Sequence, residues 1–125
     1  MNHALRVERL EDRTVPAEVT LGAAKDNTLY EDAEGDVSNA QGEGLFSGRT
    51  NNSALRRAVL AFDVGSIPAG STVTSVTLNL SVSRSSRAGE EDFSLHELTK
   101  DWGEGASTAA GQEGRGTVAD GRAIG

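Results

Sequence analysis

The clearest alternation of apolar and polar side chains lies at residues 73–82 (VTSVTLNLSV). Val76, Leu78, Leu80 and Val82 share one side, while Ser75, Thr77, Asn79 and Ser81 share the other. A period of two with one apolar side predicts a half-buried strand with a polar outer face. Residues 55–63 (LRRAVLAFD) alternate less cleanly. Ala58, Leu60 and Phe62 fall on one face, and Arg57, Val59, Ala61 and Asp63 on the other, which is itself partly apolar. That mixture predicts a strand covered on both sides near the middle of a sheet. Between the two, Ser66-Ile67-Pro68-Ala69-Gly70 fits a β-turn with Pro at its second position and Gly at its fourth. The connection exceeds a two-residue hairpin, so the strands either pair directly or lie in opposing sheets.

Weaker signals fill in the rest. Residues 19–23 and 27–31 are short strand candidates, with Val19 and Leu21 on one face, and 45–48 is another. Residues 92–98 (DFSLHEL) predict a last strand with Phe93 and Leu95 inward, its alternation slipping at Glu97 and Leu98 as at a bulge or strand end. Residues 31–44 are acidic, contain Gly and Asn, and have loop composition; 49–53 and 83–91 read as turns. After Trp102 the chain turns Gly- and Ala-rich and has no closing strand pattern. At the other end, residues 4–13 have helix-forming composition, but Pro16 bars continuation and so brief an isolated helix is marginal in water. The expected organisation is a poorly ordered leader at 1–17, one all-β module at 18–107 and a tail at 108–125.

Composition narrows the function classes. A chain of 125 residues with 36% hydrophobic and 4% aromatic content has room for one domain with a lean core. The net charge of −7 leaves no electrostatic footprint for a phosphate backbone, which argues against nucleic-acid binding. Without cysteine, a secreted module relies on packing or a bound ion in place of disulfides. No apolar run reaches the ~18–20 residues of a membrane helix, and the N-terminus lacks the apolar stretch of a standard signal peptide.

Four segments, taken in order, carry a resemblance. They are DNTLYED at 26–32, SNAQGEGLFSGRT at 38–50, RRAVLAFDVGSIPAGSTVTSVTLNLSVSR at 56–84 and SLHELTKDWGEGAS at 94–107. Together they resemble the DNRLRE domains, related to family 96 carbohydrate-binding modules, over roughly residues 19–116. The resemblance implies a secreted or cell-surface β-sandwich of jelly-roll type, found in multidomain surface proteins and polysaccharide-acting enzymes, with polysaccharide as the partner. The leader LRVERLEDRTVPA at 5–17 separately resembles a planctomycete extracellular-type N-terminal motif, which implies export or surface attachment. Members of the family continue into a Thr-Trp-containing strand where this chain has GQEGRGTVADGRAIG at 111–125. The expectation is therefore a truncated or degenerate copy, its sandwich incomplete at the C-terminus, with an unpaired edge and exposed apolar surface.

Trp102 offers a flat ring to a sugar or closes one end of the core, and the scarcity of aromatics favours the core plug. Arg56, Arg57 and Arg84 would line a basic groove for an acidic polysaccharide, or else pair with the abundant acids. Asp32, Glu34 and Asp36, next to Glu31, offer carboxylates to a structural Ca²⁺, although their spacing does not fit an EF-hand and a solvated acidic loop is the simpler account. His96 beside Glu97 reads as a solvated strand residue rather than a catalytic base. Asp101 and Glu104 are too close in sequence to suggest the facing carboxylates of a glycosidase. Asp63 fits a cap on the following turn. The expected function is non-catalytic carbohydrate binding; the alternative is a structural, adhesin-type spacer with no small ligand.

Overall fold

A computed structural model describes residues 17–109 and the pair Thr117–Val118; the leader expected at 1–17 lies almost wholly outside the described residues. Five strands form one antiparallel sheet: β1 (Ala23–Tyr30), β2 (Val37–Ser38), β3 (Gly48–Arg49), β4 (Leu55–Phe62) and β5 (Thr117–Val118). Their order across the sheet is β3-β4-β1-β2-β5, and no helix occurs among the described residues. The architecture is mostly β.

The sheet is organised by its two eight-residue strands. β4 begins at Leu55 as its alternation predicts and pairs with β1 from Tyr30↔Arg56 to Ala23↔Phe62. The register shifts between Ala23 and Lys25, so β1 carries a bulge there. The two short strands expected at 19–23 and 27–31 are corrected to this single strand. Residues 24–26, which separate the two candidates, continue the strand, and the polar Asn27 and Thr28 are fully buried in it. The strand expected at 45–48 is likewise displaced to Gly48–Arg49, paired with Arg56 and Leu55.

The core is small and more polar than apolar. Among the described residues, Tyr30, Ala40, Val59 and Trp102 are its buried hydrophobic residues, and the largest fully buried side chains are Asn27, Asn39, Thr28 and Ser38. On β4, Val59 is the buried position while Phe62 remains 38% exposed, so the supposedly apolar face is not the better covered one.

Two expected strands are absent. Residues 73–82 belong to no strand, and Val76 and Val82 are 85% and 79% exposed. Residues 92–98 form no strand either, and Phe93 and Leu95 point to solvent. β1 pairs with β4 along its length, but β3 covers the other edge only at Leu55 and Arg56; from Arg57 to Phe62 that edge carries no strand among the described residues, and 73–82 does not pair with it. Alternation encodes a face; a strand also needs a neighbour to complete its hydrogen bonds.

The connection after β4 contains two successive turns. Ile67 N–H donates to Val64 O at 3.0 Å, and Ser71 N–H to Pro68 O at 3.1 Å. The second turn therefore runs from Pro68 to Ser71, with Gly70 third at φ +81°, where the left-handed region favours glycine. Asp63 does cap the first turn: its Oδ1 accepts Gly65 N–H at 2.9 Å. In the tail, read from sequence as lacking a closing strand, Thr117–Val118 pairs antiparallel with β2.

Candidate functional site

The interior is closed by a strap, residues 101–109, that crosses β1 and β2 through polar contacts. Lys25 and Asn27 are two apart on β1 and so face the same side. The Lys25 ammonium donates to Asp101 Oδ1 at 3.0 Å and to the Trp102 carbonyl, and lies 4.7 Å from the Trp102 ring centroid. Asn27 Nδ2 donates to Glu104 O at 2.9 Å, while Asp26 N–H donates to Glu104 Oε1 at 3.0 Å. Gly105, at φ +75°, turns the strap so that Ser107 reaches the interior. There the Ser38 and Ser107 hydroxyls lie 2.7 Å apart, and Ser107 Oγ accepts Ala40 N–H at 3.1 Å.

Asn39 joins the strap to β1. Its N–H is shared between Thr28 O at 3.0 Å and Asn27 Oδ1 at 3.1 Å, and its own Oδ1 accepts Ala109 N–H at 2.9 Å. Two carboxyl groups here are perturbed. Burial, then the charge of Glu104, pushes Asp26 above its ordinary value. The hydrogen bond from Lys25, then that from Trp102 N–H, then the Lys25 charge hold Asp101 below it.

Trp102 is 9% exposed and has an ammonium over its ring, the placement of a core plug rather than of an open sugar platform. The carboxylates of Asp101 and Glu104 are both occupied in fastening the strap. His96 is exposed, its Nε2 2.9 Å from Ser94 Oγ.

The three candidate arginines do not share a surface. Arg56 and Arg57 are consecutive on β4 and point to opposite faces. Arg56 lies across from Tyr30 and stacks over its ring at 4.5 Å. Arg57 lines a cleft of about 300 Å³ with Leu29, Tyr30, Val37, Leu55 and the acids Glu31 and Asp32. Arg84 is exposed, follows the 73–82 stretch in sequence and is not part of that cleft.

The acidic loop uses its carboxylates locally. Glu31 Oε2 accepts Leu55 N–H at 2.7 Å, and Asp32 Oδ1 accepts Gly35 N–H at 2.7 Å where Gly35 has φ +74°. Glu34 is exposed and Asp36 half-buried. Among the described residues no three His, Cys, Asp or Glu side chains are gathered to hold a metal ion, so Asp32, Glu34 and Asp36 do not converge as calcium ligands.

Lys25, Asn27, Asn39 and Ser107 organise this region, yet none stands out from the sequence. The available signal was the run Asp26-Asn27-Thr28 inside a strand, since Asp and Asn are depleted from strands unless something satisfies them. No family model matches the chain, and no curated protein or solved structure matches it either.

Proposed function

We propose that the chain is a non-catalytic extracellular or cell-surface β-module acting as a structural, adhesin-type spacer, with a jelly-roll-like sandwich as the arrangement its strands serve. The observation that carries this reading is the burial of Trp102 beneath Lys25, which commits the chain's one tryptophan to closing the core. Arg56 is likewise engaged with Tyr30. The polar strap is suited to fixing the module's shape, since Asp101 and Glu104 fasten it to Lys25 and the Asp26 backbone. The extracellular assignment rests on the resemblance of the leader and of the module.

Polysaccharide binding is the second reading, supported by the family resemblance and by Arg57 on its cleft. Retention of the full chain on neutral and uronate-bearing polymers separates the two. The spacer reading expects no retention on either. Retention that weakens about tenfold in Arg57→Ala, the effect of losing ~1.4 kcal/mol of contact, would replace it with carbohydrate binding.

A further inference from the structure

We propose that residues 76–82 form a homotypic docking strip through which two copies of the chain pair antiparallel about a twofold axis at Asn79. The inference is independent of the spacer reading and begins with a symmetry in the sequence. Val76-Thr77-Leu78-Asn79-Leu80-Ser81-Val82 reads nearly the same in both directions. With Asn79 opposite its own copy, Val76 faces Val82, Thr77 faces Ser81 and Leu78 faces Leu80. Every cross-strand pair is then matched in character and size, and the apolar side chains of both copies fall on one face. A twofold interface requires this self-complementarity, because the same patch serves both partners.

The strip is also available. Val76, Leu78, Leu80 and Val82 are 85, 38, 66 and 79% exposed, and the stretch belongs to no strand of the sheet. Four side chains this open present on the order of 400 Å² of apolar surface, the scale at which exposed patches mark interaction sites. Charge selects the occupant. The chain carries −7 overall, yet no charged residue occurs between Ser71 and Ser83. Edge strands that avoid pairing use charges, prolines or bulges as guards, and this segment has none within it. For an acidic copy approaching another, the strip is a place where contact brings no like charges together.

The absence of cysteine makes a register-specific test possible. In the proposed pair, position 79 meets itself at a separation a disulfide can bridge. N79C is expected to form a covalent dimer about tenfold faster than G89C, placed in the neighbouring exposed turn. The unmodified chain is expected to sediment as a monomer–dimer equilibrium at tens of micromolar, as suits a small interface. Leu80→Asp, at a side chain already exposed in the single copy, is expected to weaken dimerisation at least about tenfold while leaving the far-ultraviolet spectrum unchanged. A monomer throughout that concentration range, open-ended aggregation, or equal cross-linking at positions 79 and 89 would each overturn the proposal.

Discussion

At the scale of single residues, Asp26 is where burial and a neighbouring carboxylate both disfavour the charged form. Its backbone N–H holds Glu104 Oε1, which brings a second carboxylate close to its own half-buried one. Because the folded-state pKa is raised, the folded chain binds this proton more tightly than the unfolded chain does. Folding therefore gives up stability as pH rises through the raised folded value, and the loss vanishes below the ordinary aspartate range. Asp101 has the opposite sign: lowered by Lys25, it contributes stability above its ordinary value and loses it as pH falls through the folded one. Its carboxylate is 96% exposed, so salt screens that contribution. The expected outcome is that Asp26→Asn is more stable than the parent at neutral pH, with the gap closing on acidification. Urea unfolding at a series of pH values checks it, and a gap that widens toward acid would contradict the assigned cause.

At the scale of elements, the strap matters more than its lack of secondary structure suggests. It inserts Trp102 beside the three other hydrophobic residues that are buried among the described residues, and it makes hydrogen bonds with Asn27, Asn39 and Ser38. Trp102→Ala is expected to cost ~3–5 kcal/mol, within the range for large aromatic truncations in cores. Urea denaturation measures this, and a loss below ~1 kcal/mol would show that the strap is fastened by its polar contacts alone. The elements differed in how far they could be read from sequence. β4 is readable nearly to the residue because the strand formers Val59 and Phe62 lie in an apolar run with punctuation at both ends. β1 reads as two pieces because residues 24–26 carry Lys25 and Asp26 and show no apolar alternation, and local pattern does not reveal that a strap 77 residues away accepts a hydrogen bond from Asn27. Residues 73–82 erred the other way. Their alternation is cleaner than that of any strand in the sheet, but period measures the face and carries no information on whether a partner exists. Of the candidate site residues, Trp102 was placed in the core by weighing aromatic scarcity. The arginines were grouped by charge, without the alternation that sends Arg56 and Arg57 to opposite faces.

At the scale of the whole molecule, a short sheet with a lean polar core leaves an uncharged apolar strip on an otherwise acidic surface. Two forces then act on a pair of copies, and they respond differently to salt. The −7 charge on each chain repels at long range. That repulsion is screened over a Debye length of ~10 Å at 0.1 M salt and ~3 Å at 1 M. Contact between Val76–Val82 pairs and Leu78–Leu80 pairs involves no charge, so screening removes nothing from it. Raising sodium chloride from about 50 mM to about 500 mM is therefore expected to tighten self-association at fixed protein concentration. Were the copies held instead by arginine–carboxylate contacts, the same change would dissociate them, since exposed ion pairs weaken with salt. Sedimentation velocity at the two salt concentrations distinguishes these outcomes by the direction in which the weight-average coefficient moves. In Leu80→Asp the trend is expected to flatten toward the monomer value at both concentrations, because screening helps only where the apolar strip is intact.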